Sequence, residues 1–398
     1  MINIINKKDC CGCSACVQKC PKQCISLQED NEGFLYPKVD VSSCIECGLC
    51  SKVCPIKKQN ESRYPLKVYA SKNKNDLIRL RSSSGGVFTL LAEQILSEGG
   101  IVFGAKFNKN WNVVHSYTDT IEGLGKFRGS KYVQSIIGNN FKIVENYLKE
   151  GRKVLFSGTS CQIAGLKNYL HKDYNDLLTI EIVCHGVPSP LIWRDYLKYK
   201  CLKNTKNVIN RTNSVSELVE ITNVSFRDKT KGWKNYCIRI DYSTNNSEVI
   251  RSKKDIFMRG FLKDLYLRPS CYSCVARQGK SGADISIADY WGIQLIHPEM
   301  DDNKGTGAIL VYSEKGIRYY DLIKEKVETL ESTYENVIIH NPCIVKSVDE
   351  PKIRSRFWIY YKEKNIDAIK EICDLMDPPM MVVLLSRIIR KIKLIIGT

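Results

Sequence analysis

The 398-residue chain carries 60 Lys and Arg against 43 Asp and Glu, a formal charge of +17, with 43% hydrophobic and 26% charged residues. That balance excludes wholesale disorder, and the length allows two or three domains with cores of their own. Charge alone would point to nucleic acid, an anionic membrane or acidic substrates. The 18 cysteines are more specific, because ten of them fall within residues 1–54. Met1-Ile2-Asn3-Ile4-Ile5-Asn6 is too short an apolar run for a secretory signal, and Lys7-Lys8 ends it. The expected location is the reducing cytoplasm, where clustered cysteines mean metal or redox chemistry rather than disulfides.

Two runs repeat one spacing: Cys10-x2-Cys13-x2-Cys16-x3-Cys20 before Pro21, and Cys44-x2-Cys47-x2-Cys50-x3-Cys54 before Pro55. This is the bacterial ferredoxin pattern for two [4Fe–4S] clusters. Two-residue gaps let one tight loop present three thiolates to three corners of a cubane, and the fourth cysteine reaches the other cluster. The expected ligand sets are Cys10, Cys13, Cys16 and Cys54 for one cluster, and Cys44, Cys47, Cys50 and Cys20 for the other. The prolines are expected to keep a short following helix from starting before the fourth ligand. Zinc knuckles use Cys-x2-Cys pairs too, but do not need eight thiolates with Pro after each fourth one. Cys11 and Cys24 have no place in the repeat and read as small buried residues.

The ferredoxin unit is expected over residues 1–60, followed by a polar linker ending near Pro65. From residue 65 to 345 strand-like and helix-like patterns alternate, which argues for an α/β domain. Strands are expected at 67–70, 101–107, 113–117, 154–156, 178–183, 285–288 and 308–312, and helices at 86–97, 141–149, 161–170 and 254–266. Residues 203–250, richer in Asn, Ser and Thr, read as a β excursion with strands at 222–226 and 236–242. Residues 346–398 form a helical extension. Its last part, 380–396, is apolar with Arg387, Arg390, Lys391 and Lys393 and no acid, too short and too charged to span a bilayer comfortably. It fits either a basic amphipathic helix on an anionic membrane surface or a terminal helix docked on the body.

Several loops have the composition of binding sites. Ser82-Ser83-Ser84-Gly85-Gly86 precedes an apolar helix, and its backbone N–H groups would suit a phosphate; an ordinary Ser N-cap suits the same residues. Lys126 to Tyr132 packs three cations and two aromatics around Gly129 and Ser130. Gly158-Thr159-Ser160-Cys161 turns from a strand into a helix, where open α/β sheets bind ligands and where a helix dipole would favour the Cys161 thiolate. Cys184-His185 follows the next strand. With Cys271-x2-Cys274 these make four cysteines on three loops, enough for a third [4Fe–4S] cluster if they converge; a lone redox thiol or buried inert cysteines remain open. His185 reads as a proton donor, a hydrogen-bonder to a cluster, or a buried polar residue.

Taken together these loops resemble the beta subunit family of coenzyme F420-reducing hydrogenase and dehydrogenase, in the bacterial form with an N-terminal two-cluster ferredoxin domain. The resemblance runs from residue 1 to about 315. It is carried by Arg81–Phe88, Phe127–Val133, Gly158–Leu166, Val183–Pro188, Ser225–Asp228 with Gly232-Trp233, Arg268–Cys274, and Asp284-Ile285 with Asp289–Gly292. Ser160 stands where the family has proline. The resemblance implies an α+β ferredoxin-like domain followed by an α/β flavin-binding catalytic domain with a helical basic tail. It implies FAD on the Ser83, Ser84, Gly85, Gly86 loop, on Arg128, Gly129, Ser130, Lys131 and Tyr132, and beside Gly158 and Thr159. It also implies Cys161, Cys184, Cys271 and Cys274 as ligands of a third cluster.

The activity so implied is a flavin-dependent iron–sulfur oxidoreductase. Electrons would pass between ferredoxin-type clusters and FAD to reduce or oxidise an organic small molecule, the deazaflavin coenzyme or another, with His185 as the candidate catalytic residue. Bacterial relatives often stand beside surface-polysaccharide genes, which makes a sugar or lipid-linked substrate a second candidate. The rival reading is a non-enzymatic electron-transfer subunit serving a partner reductase. In both, an electron-donor or acceptor protein is a partner, and nucleic acid is not. Three clusters at about −2 each and the FAD pyrophosphate would bring the formal charge to about +9.

Overall fold

The computed structural model describes residues 1–212 and 218–377. The basic stretch 380–398 therefore lies outside the described residues. At the N-terminus, α1 (Ala15–Lys19), a hairpin of β1 (Ile25–Glu29) and β2 (Leu35–Val39), and α2 (Leu49–Lys52) build the ferredoxin unit. The hairpin is antiparallel, with Ile25 opposite Val39. Each short helix carries the third cysteine of its run and ends before the fourth. This corrects the expected role of the prolines: Pro21 and Pro55 mark where a helix has stopped, and do not delay one that follows.

The larger body follows with β3 (Lys67–Asn73), α3 (Asp76–Leu80), α4 (Val87–Ser97), β4 (Ile101–Phe107), β5 (Val113–Thr118), α5 (Ile121–Leu124), α6 (Asn140–Lys149), β6 (Val154–Thr159), α7 (Ser160–Leu170) and β7 (Leu177–Ile182). Next come the long α8 (Pro190–Thr212), then β8 (Ile221–Asp228), β9 (Cys237–Tyr242), β10 (Ser247–Arg251) and α9 (Ile256–Leu262). The chain continues through β11 (Ile285–Asp289), α10 (Ile293–Ile296), β12 (Gly307–Val311), α11 (Glu314–Leu322), β13 (Val327–Glu331), α12 (Tyr334–His340), α13 (Arg354–Lys364) and α14 (Ile366–Met376).

The main sheet has eight strands in the order β13-β3-β12-β11-β7-β6-β4-β5. Its centre, β11-β7-β6-β4, is parallel, and the outer pairings are antiparallel. Val154, Leu155 and Phe156 of β6 are wholly buried, as a strand covered on both faces requires. One face packs on α4 and α11 through Leu91, Ile95 and Tyr320, and another core holds Phe141 of α6 and Ile163 of α7.

The β excursion is a three-stranded antiparallel sheet, β10-β9-β8. It starts later than expected, because α8 continues through the Asn- and Thr-containing stretch after residue 203. The tertiary reason is the first half of α8: Ile192, Trp193 and Tyr196 are fully buried against Phe226 and Phe257, and burial outweighs the weak local propensity. α13 and α14 join this same core through Phe357, Ile369 and Ile372. Among the described residues no helix is long and apolar enough to cross a membrane.

Candidate functional site

Tight loops with alternating left-handed residues, Gly12 and Ser14 in the first run and Glu46 and Gly48 in the second, turn the thiols of each run inward. Cys10, Cys13, Cys16 and Cys54 line one small cavity, together with Cys11. Cys20, Cys44, Cys47 and Cys50 line a second, together with Cys24, whose Sγ is 3.4 Å from that of Cys20. The fourth cysteine of each run thus faces the other run's three. Burial first, then repulsion from Cys10 and Cys54, pushes the Cys16 thiol up to about 12. The Ile2 N–H donates to Cys50 Sγ at 3.1 Å.

Cys161, Cys184, Cys271 and Cys274 also meet. Cys161 opens α7 at the carboxyl end of β6, Cys184 follows β7, and the other two sit on the turn after Arg268. Burial pushes Cys271 up to about 12, with added repulsion from Cys274 and Cys161. Burial and then Cys271, Cys161 and Cys274 raise Cys184. The Cys161 thiol is raised as well, by its contact with Cys11 and by burial. The helix dipole at the start of α7, worth up to about 2 kcal/mol, acts against this rise. Among the described residues no three His, Cys, Asp or Glu side chains are close enough to hold a single metal ion.

Beside these cysteines opens a cavity of about 760 Å³, a size that accommodates a cofactor-sized ligand. Ser83, Ser84, Gly85 and Gly86, then Arg128, Gly129, Ser130, Lys131 and Tyr132, then Gly158 and Thr159 all line it, as do Cys184 and His185. Gly86 is the N-cap of α4 at φ 79°, with no side-chain cap, so the Ser N-cap alternative does not hold. The serines divide their work: Ser84 Oγ donates to the Thr306 carbonyl at 2.6 Å, while Ser83 Oγ pairs with Ser130 Oγ at 2.8 Å. Gly85 is needed for close packing, since a Cβ there would lie 2.2 Å from the Ser71 carbonyl oxygen. At Gly129, by contrast, a Cβ would meet nothing within 4 Å.

Charge gathers around the cavity. Lys131 Nζ donates to the Gly129 carbonyl at 3.1 Å, and burial brings its pKa down to about 7. Arg128 Nε donates to Thr89 Oγ1 at 3.2 Å. His185 Nε2 stands 2.6 Å from Asp264 Oδ1, edge-on to Phe261. Sequence reasoning gave no site role to Arg227 or His115. Arg227, buried on β8, pairs with both oxygens of Asp289 at 2.8 and 3.0 Å and with Tyr132 Oη at 3.1 Å, yet its Nε has no partner. Its signal in the sequence was its place in Ser225–Asp228, one of the segments that carry the resemblance, with no role attached. His115 is buried on β5, and burial holds its pKa down to about 4. Neutral, it donates from Nε2 to the Ser157 carbonyl at 3.0 Å and accepts at Nδ1 from Ser135 Oγ at 3.0 Å.

Residues 151–336 match the family model for the C terminus of the coenzyme F420 hydrogenase/dehydrogenase beta subunit, and residues 9–58 match the 4Fe–4S dicluster domain. The chain is 27% identical over 203 residues to the coenzyme F420-dependent sulfite reductase of Methanocaldococcus jannaschii, covering 49% of this chain but only 30% of that protein. It is 34% identical over 61 residues to an uncharacterized protein from the rpl9-rpl11 intergenic region of Porphyra purpurea, covering 14% of this chain and 79% of that one. A chain from a xenon-derivatised structure of the F420-reducing [NiFe] hydrogenase complex of Methanosarcina barkeri aligns at 18% identity and TM-score 0.42, covering 78% of this chain and 92% of that chain. Residues 151–336 thus form a domain of the coenzyme F420 hydrogenase/dehydrogenase beta subunit family, with a 4Fe–4S dicluster domain in front at residues 9–58.

Proposed function

We propose that the chain is a flavin-dependent iron–sulfur oxidoreductase acting on an organic small molecule. One observation carries the reading: Cys161, Cys184, Cys271 and Cys274 come together beside the cavity that the glycine–serine and Arg128–Tyr132 loops line. Cys184 belongs to both. When bound, the clusters would supply one-electron carriers and the flavin the two-electron, hydride chemistry that clusters lack.

The residues present fit these groups. Each of the three cysteine sets offers four thiols, the donor type such clusters take. The unpartnered Arg227 Nε and the open space over Gly129 fit an anionic, planar ligand in the cavity. Arg128 and the α4 N-terminus would hold the diphosphate, and Tyr132 and Arg227 would orient the ligand. His185, held through Nε2 by Asp264, would present Nδ1 to the substrate. The deazaflavin coenzyme named for the relatives is one candidate substrate. Cys47, exposed at the outer ferredoxin cavity, would face the protein that donates or accepts electrons.

Anaerobic reconstitution tests the proposal. About 12 Fe and one FAD per chain are expected; about 8 Fe without flavin would instead fit an electron-transfer subunit and defeat it. Cys271→Ser should lose about four Fe and leave the ferredoxin signals in place. Unchanged iron in that variant would remove the third cluster from the scheme.

A further inference from the structure

Arg268 is wholly buried at the seam between the ferredoxin unit and the larger body. Each of its three guanidinium nitrogens donates a hydrogen bond. Nε donates to the Cys10 carbonyl at 2.7 Å, Nη1 to Gln134 Oε1 at 2.9 Å, and Nη2 to the Leu35 carbonyl at 2.9 Å and to Cys10 Sγ at 3.4 Å. The Tyr36 ring lies against it at 4.3 Å. None of these hydrogen-bond acceptors is a carboxylate. A buried cation without a carboxylate is costly unless another negative group stands beside it. The group available is the Cys10 sulfur, with Cys271 three residues along the same turn.

The outer cavity differs. It is lined by Lys22 and Glu46, and Cys47 there is exposed, so water screens whatever charge it holds. Cluster potentials depend on net charge, hydrogen bonds to sulfur and solvent exposure. A buried guanidinium donating to a ligand sulfur favours the reduced, more negative form, and it acts here on one ferredoxin site and not the other.

Resting on the iron–sulfur reading above, we propose that Arg268 is a positioning residue that holds the Cys10/Cys13/Cys16/Cys54 site at a higher potential than the Cys20/Cys44/Cys47/Cys50 site. With clusters bound, it would favour one-electron transfer inward, from the outer site to the inner one, with no change of proton or bond. The electron comes from a low-potential one-electron donor protein at the exposed outer edge.

EPR-monitored redox titration of the reconstituted full-length chain tests this. In Arg268→Gln, one cluster potential should shift to lower values by more than the others, at unchanged iron content, and Arg268→Lys should recover part of the shift. Potentials that stay fixed, or that all move together, would overturn the proposal. If Arg268→Gln does not hold its iron, Arg268→Lys alone decides: it keeps the charge but loses the forked donor, so a smaller selective shift supports the proposal and none overturns it. Wild-type protein with about 8 Fe and no flavin would defeat the proposed function instead, and still leave two potentials to compare.

Discussion

His115 offers a quantitative test of the cavity floor. Its ring is buried and held neutral, with a pKa of about 4 against an ordinary value of 6.5. Because the folded state binds the proton less tightly than the unfolded chain, the penalty is absent above about pH 6.5 and grows as pH falls toward 4. Linkage gives a loss of about 2 kcal/mol by pH 5. The assay is urea unfolding of wild type and His115→Gln at pH 7 and pH 5, under argon. At pH 7 the variant should be less stable, because it loses the bonds to Ser157 and Ser135. At pH 5 the gap should narrow by about 2 kcal/mol, since only the wild type carries the buried imidazole. A gap that stays constant, or widens, would mean the ring is already protonated or solvated in the fold.

Two packing predictions address the seam and the loop. Gly165→Ala adds a methyl 2.9 Å from Cys13 Cβ and 3.0 Å from its Sγ; overpacking of about 1–3 kcal/mol should exceed the gain of about 1 kcal/mol from replacing a helical glycine. The thermal midpoint should fall and iron should be lost from the inner ferredoxin site; a rise in midpoint at full iron would contradict the docking described. Gly85→Ala places its methyl 2.2 Å from the Ser71 carbonyl oxygen and 2.7 Å from the Gly307 nitrogen, both backbone. It should cost more than about 3 kcal/mol and abolish FAD retention, and a stable variant with full flavin would refute the assignment of that wall.

What was legible in the sequence follows the range of the interactions. The two ferredoxin runs were readable because a cubane imposes its spacing on a single loop. Likewise β4, β6 and α7 were readable from periodicity, because each is covered by its own neighbours in the sheet. The third cysteine set was only half legible: Cys271 and Cys274 share a turn, while Cys161 and Cys184 come from the ends of separate strands and are united only by the order β7-β6 in the sheet. Arg268 and Arg227 stood in segments that carried the resemblance, but their roles were not legible because their partners lie far along the chain. The formal charge, prominent in the composition, says little about this site: the cations that matter here, Arg227 and Arg268, are buried.

Those buried cations also bear on how the two units work together. A ferredoxin that shuttles needs a weakly packed contact, whereas this seam is interlocked. A Cβ at Gly12 would meet Gln134 and Arg268 at 2.5 and 2.8 Å, and one at Gly165 would meet Cys13, so backbone is packed against side chain on both sides. Gln18 Oε1 accepts from the Phe141 and Lys142 amides at 2.9 and 3.2 Å, and Glu32 pairs with the buried Arg354. Removing one partner of such a buried pair costs about 3–5 kcal/mol, so opening the seam would strand several polar groups at once. Cys11, left over from the cluster motif, contacts Cys161 inside this seam. The packing fixes the ferredoxin unit against the body and leaves Cys47 as its exposed cysteine.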